Sequence, residues 1–115
     1  MQLRDESCKH YPGKWCFPGG RCEENERPIN TVIREVKEEY GLKIDKSFCK
    51  LVFSGTHPVM SNEMSYVFLC FVNSDQQPVL NEGADMRWMT VREIKSISLG
   101  FGAESIIPYL EKIIY

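Results

Sequence analysis

Between Gly20 and Leu42 the chain gathers six of its sixteen acidic residues into a stretch that also carries a helical apolar repeat. Ile29, Val32, Ile33, Val36 and Tyr40 fall on one stripe, which predicts a helix. Pro28 suits its first position and Gly41 the residue just past its end. Within it Glu35, Glu38 and Glu39 stand at i, i+3 and i+4, on one face beside the apolar stripe. A solvated charged face is the ordinary reading of such a run, but two penalties count against it. Like charges at these spacings cost roughly 0.2–0.5 kcal/mol per pair. Glu38 and Glu39 also sit in the last turn, where the helix dipole prefers cations. A hard divalent cation reverses the sign of both, and clustered carboxylates suit Mg²⁺ or Mn²⁺.

The rest of the chain alternates strands with helices. Met1 to Arg4 reads as the end of a strand, and Pro18-Gly19-Gly20 as a turn. Apolar, β-branched and aromatic stretches at Phe48–Thr56 and Met64–Val72 flank a connection containing Pro58 and Asn62, which predicts a hairpin. A polar loop over Asp75–Gly83 leads to a short strand at Met86–Met89. Thr90-Val91-Arg92-Glu93 has the form of a capping box opening a short helix. A final helical segment is expected to bury Ile106, Leu110, Ile113 and Ile114, and Pro108 fits only if that helix starts within the preceding few residues. Helices layered on a sheet are the expected outcome.

Composition narrows the function. At 115 residues, 43% hydrophobic and 26% charged, the chain is globular in type and long enough for one core. A net charge of −2 argues against a general nucleic-acid grip, and no apolar run is long enough for a membrane span. The five cysteines, Cys8, Cys16, Cys22, Cys49 and Cys70, are an odd number without a CxxC pair. They read as reduced thiols, mostly buried, in a cytoplasmic protein; a zinc site from Cys8, His10, Cys16 and Cys22 lacks the usual spacing.

The segment G-x5-E-x7-R-E-V-x-E-E-x-G-L resembles the signature box of the Nudix hydrolases at Gly20, Glu26, Arg34, Glu35, Val36, Glu38, Glu39, Gly41 and Leu42. Leu3-Arg4-Asp5, Gly13-Lys14-Trp15, Phe17-Pro18-Gly19-Gly20 and Glu82 followed by Trp88 extend the likeness. The resemblance implies an α+β fold, an α/β/α sandwich around a mixed β-sheet, with residues 1–115 as a single Nudix domain. It implies a Mg²⁺-dependent pyrophosphohydrolase, Mn²⁺ being the alternative ion. Glu35, Glu38, Glu39 and the Gly20 carbonyl would be metal contacts, with Glu82 either an extra acid from a loop or a solvated turn residue, and Asp85 a second loop candidate. Glu35, Glu38 and Arg34 are the catalytic set, Arg34 and Glu26 orienting the helix. Arg4, Lys14 and Arg21 flank the loop and either steer phosphates or serve as surface charge. The expected substrate is a (deoxy)nucleoside triphosphate. ADP-ribose or a nucleotide sugar is the enzymatic alternative, and a non-catalytic nucleotide-sensing module the alternative of another class.

Other residues carry weaker readings. His57 reads as an exposed loop residue before a catalytic base, and Pro58 as a turn proline. Trp15, Phe17, Tyr66 and Trp88 either stack a base or, more commonly, serve the core. Two departures from the family pattern stand out. The first strand usual before Leu3 is expected to be absent, leaving an open edge that either pairs two copies as a homodimer or weakens the monomer. Arg27 stands where a Ser or Thr usually caps the helix.

Overall fold

The computed structural model describes residues 1–8, 10–57, 62–73, 75–81, 83 and 85–114. Its centre of gravity is the helix that the apolar stripe foretold, α1 (Pro28–Tyr40). Pro28 opens it, where a missing N–H costs nothing. Gly41 closes it in the left-handed conformation, φ 66° and ψ 14°, and donates its N–H to the Lys37 carbonyl at 2.9 Å. The start is weaker. Arg27 occupies the capping position with extended backbone and no side-chain bond to the helix. Val36, Tyr40 and Leu42 bury one side of α1 into a core completed by Val32, Ile44 and Met86.

Three short strands form one antiparallel sheet in the order β2 (Trp15–Cys16), β1 (Gln2–Leu3), β5 (Asp85–Met86). Gln2 faces both Cys16 and Met86, and Leu3 faces Trp15 and Asp85. The long strands β3 (Cys49–Thr56) and β4 (Met64–Cys70) form a separate antiparallel hairpin, with a bulge between Leu51 and Phe53. His57 N–H donates to the Glu63 carbonyl at 2.8 Å where its strands part. The pairing is therefore divided between two sheets. The parallel component is a bridge from Trp15 to Leu99, held by Trp15 N–H to Ser98 O at 3.0 Å and Gly100 N–H to Trp15 O at 2.8 Å. Helix α1 lies on β4, and the C-terminal helix α3 (Ile107–Ile114) lies on β3, with Phe53 and Tyr109 meeting edge to face at 5.2 Å. Pro108 falls at the second position of α3, inside the permitted first turn.

A second core joins α3 to the short helix α2 (Val91–Lys95): Val91, Ile94 and Ile107 pack with Met1, Phe17, Met89 and Leu99. Thr90 and Glu93 cap α2 reciprocally, as the sequence indicates. Among the described residues no helix is long and apolar enough to cross a membrane.

Several burial expectations change. Of the cysteines only Cys16 is buried, and Cys22 is exposed. Cys49 and Cys70 face each other across the hairpin, where burial and the neighbouring thiol push the Cys70 thiol up to about 12. Trp88, just past β5, and Tyr66, within β4, are exposed rather than core, and neither belongs to the two buried clusters described above. Phe17 does enter the second core.

The helix ends give opposite expectations for stability. Arg27→Ser supplies the absent cap and should raise stability by about 1 kcal/mol. Gly41→Ala places a Cβ in the left-handed region and should lower it by about 1–2 kcal/mol. Urea midpoints at constant m-value measure both.

Candidate active site

One guanidinium organises the acidic loop and helix. Arg34 binds Glu26 with two parallel bonds, Nε to Oε2 at 2.8 Å and Nη2 to Oε1 at 3.0 Å. Its Nη2 also donates to the Arg21 carbonyl at 3.2 Å. From the other side, Nη1 meets Glu35 Oε1 at 2.9 Å and Glu38 Oε2 at 3.4 Å, with Glu23 3.8 Å away. Thr31, buried on the first turns of α1, donates its hydroxyl to Glu26 Oε1 at 2.7 Å and lies 3.0 Å from Cys22 Sγ. The loop from Arg21 to Glu26 is thereby fastened to the helix. The Arg34 bonds hold the Glu26 carboxyl down at about 2, with the Glu23 N–H and the Thr31 hydroxyl adding to the shift. Arg34 itself is pushed above the ordinary arginine value, first by Glu26.

The three carboxylates of the helix are graded in exposure. Glu39 is 4% exposed as a residue, while the Glu35 and Glu38 side chains are 17% and 58% exposed. Gly20 runs hard against Glu35: a Cβ there would fall 2.5 Å from the carboxyl carbon and Oε1. A larger residue there would force the Glu35 carboxylate to move. This cradle and a donor set made wholly of oxygen fit a hard divalent cation. Among the described residues no three Asp, Glu, His or Cys side chains already converge on one point. Arg34 draws Glu35 and Glu38 towards itself, whereas Glu39 is turned into the protein.

The remaining predicted residues scatter. Glu82 and Pro58 lie outside the described residues. Arg4 donates Nε to the His10 carbonyl at 2.8 Å and stacks over Phe101 at 4.9 Å. Lys14 Nζ donates to Ser98 Oγ. These two cations thus pin the 98–101 loop. Arg21 reaches outward, its side chain 78% exposed, and pairs with Glu63 at 3.0 Å. Asp85 lies in β5 and accepts from its own neighbours, Met86 N–H at 2.8 Å and Arg87 Nε at 3.3 Å. His57 is half-buried at the end of the hairpin.

Two contributors escape a sequence reading. Thr31 is unremarkable between Pro28 and Arg34 until the structure buries its hydroxyl on Glu26. The segment 79–81 lies about forty residues beyond α1 yet closes the helix end: Val79 N–H donates to Tyr40 O at 2.8 Å and Asn81 N–H to Glu39 O at 2.9 Å. Asn81 Nδ2 adds a bond to Glu38 O at 3.1 Å. An asparagine in a polar loop is a common turn residue, so nothing local signals this role.

With this geometry in view, the NUDIX domain model matches residues 1–110. An uncharacterized Nudix hydrolase of Bacillus subtilis, YvcI, is 30% identical over 105 residues, covering 87% of this chain and 66% of the relative. An 8-oxo-dGTP diphosphatase of Proteus vulgaris is 37% identical over 59 residues, 51% of each chain. The chain thus spans about half to two-thirds of the length of these curated relatives. The crystal structure of a MutT NUDIX hydrolase from Burkholderia pseudomallei shares the fold, with a TM-score of 0.76 at 19% identity, over 95% of this chain and 85% of that one.

The Glu26 bonds carry a pH signature. A carboxyl held at about 2 against an ordinary 4.5 contributes its full stability above 4.5 and loses it as pH falls towards 2. Between those values the melting temperature of the parent should fall more steeply than that of Glu26→Gln, whose amide gains no proton. Parallel slopes would show that Glu26 is not held in this way.

Proposed function

This chain belongs to the Nudix hydrolase family, and we propose that it is a Mg²⁺-dependent pyrophosphohydrolase acting on a (deoxy)nucleoside triphosphate. Water would attack a phosphorus of the triphosphate chain and the phosphoanhydride bond would break, giving a nucleoside monophosphate and pyrophosphate. The observation that carries the reading is the approach of the Gly20 main chain to the Glu35 carboxylate, one turn from the buried Glu39. The likeness to a relative named as an 8-oxo-dGTP diphosphatase supports the substrate class.

Glu35, Glu39 and the Gly20 carbonyl are the groups that would hold the ion, with Glu38 beside them. When bound, Mg²⁺ supplies charge neutralisation at the phosphates and acidifies water. Glu38 is the proton acceptor of choice: it is the most exposed of the three carboxylates, and its contact with Arg34, at 3.4 Å, is longer than that of Glu35. Arg34 keeps Glu35 and Glu38 side by side despite their like charge. Arg21 is favoured over Arg4 and Lys14 as a phosphate contact. Its ion pair with Glu63 is exposed and worth only about 0.2–1 kcal/mol, so a phosphate can replace it, whereas the other two cations hold a loop.

A hydrolysis screen with Mg²⁺ across nucleoside triphosphates, nucleotide sugars and dinucleotides tests the function. Release of pyrophosphate from triphosphates supports it, and turnover confined to nucleotide sugars, or none at all, overturns it. Glu39→Gln keeps the shape and removes one charge, so metal-dependent turnover should fall by about 100-fold or more, a loss of roughly 2.7 kcal/mol in transition-state stabilisation. Stability in metal-free buffer should stay level or rise, because repulsion with Glu35 and Glu38 is relieved. Equal Mg²⁺-dependent rates for variant and parent would remove Glu39 from the ligand set.

A further inference from the structure

The last four carbonyls of any α-helix have no partner within the helix. In α1 they belong to Lys37, Glu38, Glu39 and Tyr40, and all four are met. Gly41 supplies one bond locally. The other three come from residues 79–81, which run antiparallel to the helix end. Gln76 anchors the far end of this strap by exchanging two bonds with the Lys43 main chain, at 2.8 and 2.9 Å. Val79 then reaches Tyr40. Asn81 makes two bonds, from its side chain to Glu38 O and from its main chain to Glu39 O. Beyond it, Gly83 presses against β1, where a Cβ would fall 2.8 Å from Gln2 Nε2 and 2.9 Å from Leu3 O. The strap is thus held at Gln76, Val79 and Asn81, and Gly83 lies close against β1.

The two carbonyls that Asn81 holds belong to the two residues whose carboxylates end the acidic cluster. A last helical turn ordinarily frays, and its side chains then wander with it. We infer that Asn81 is a positioning residue for the metal site, fixing the Glu38–Glu39 turn so that its carboxylates are presented in one arrangement. The inference rests on the metal reading of the site given above. Outer partners that orient metal ligands typically matter about 10–100-fold in metal affinity. The side-chain bond of Asn81 acts on the main chain of Glu38 rather than on its carboxylate, which places the expected effect at the lower end of that range.

The test is direct binding of Mn²⁺, followed by electron paramagnetic resonance without substrate, beside thermal melting. Asn81→Ala removes the side-chain bond and should weaken Mn²⁺ binding about tenfold. Gln76→Ala removes two bonds from the far end of the same strap and serves as the structural control. It should lower the melting temperature at least as much as Asn81→Ala while leaving Mn²⁺ affinity within about twofold of the parent. Unchanged affinity in Asn81→Ala overturns the inference, as does a loss of affinity that follows the loss of stability in both variants. If Asn81→Ala does not fold, Asn81→Ser, with its shorter donor, is titrated under the same criteria. A parent protein that binds no Mn²⁺ overturns the metal reading and this inference together, whereas failure of the inference alone leaves parental binding intact.

Discussion

The Arg34 guanidinium sits where a loop, a helix and four carboxylates meet, and the arrangement of the acidic segment follows from it. Its fork matches the Glu26 carboxylate bidentately, which fixes direction as well as charge. Its remaining N–H groups reach the Arg21 carbonyl behind and Glu35 and Glu38 in front. A lysine in that place would bring the charge without the fork. The loop following Gly20 would then keep the Thr31 contacts with Glu26 and Cys22 but lose the bidentate bond that fixes its direction.

The helix is secured at its two ends by different chemistry. At the start, where Arg27 provides no cap, the fastening is ionic and runs through Glu26, Thr31 and Arg34. At the end it is made of main-chain carbonyls taken up by residues 79–81. The negative end of the helix dipole coincides with Glu38 and Glu39, so N–H dipoles delivered there relieve part of an unfavourable field. The middle is held by burial of Val36, with Val32 packed against the same cluster. An acidic helix of this kind is costly by itself, and bonds from its neighbours offset that cost.

Burial also grades the three glutamates of the helix. Burying a carboxylate is expensive unless a countercharge or strong donors meet it. Glu39 is turned inward, while the Glu38 side chain stays largely exposed to water. Their sequence positions are adjacent, and 100° of helical rotation makes the difference.

The sequence by itself determined what depends on local geometry. The apolar stripe set α1, Pro28 and Gly41 set its limits, Thr90 and Glu93 set the start of α2, and the position of Pro108 limited where α3 begins. The spacing of Glu35, Glu38 and Glu39 marked the acidic face, because helical periodicity is a short-range rule, while Gly20 and Arg34 came from the resemblance to the Nudix box. Tertiary structure alone decided the rest. It divided the strands into two sheets and left Trp88 and Tyr66 outside the core. It turned Arg4 and Lys14 to the 98–101 loop, and it brought Asn81 to the end of α1. Each of these depends on which distant surfaces are buried together. A hydrogen bond across forty-three residues leaves no periodic trace in the chain, since its partners are chosen by packing and not by spacing.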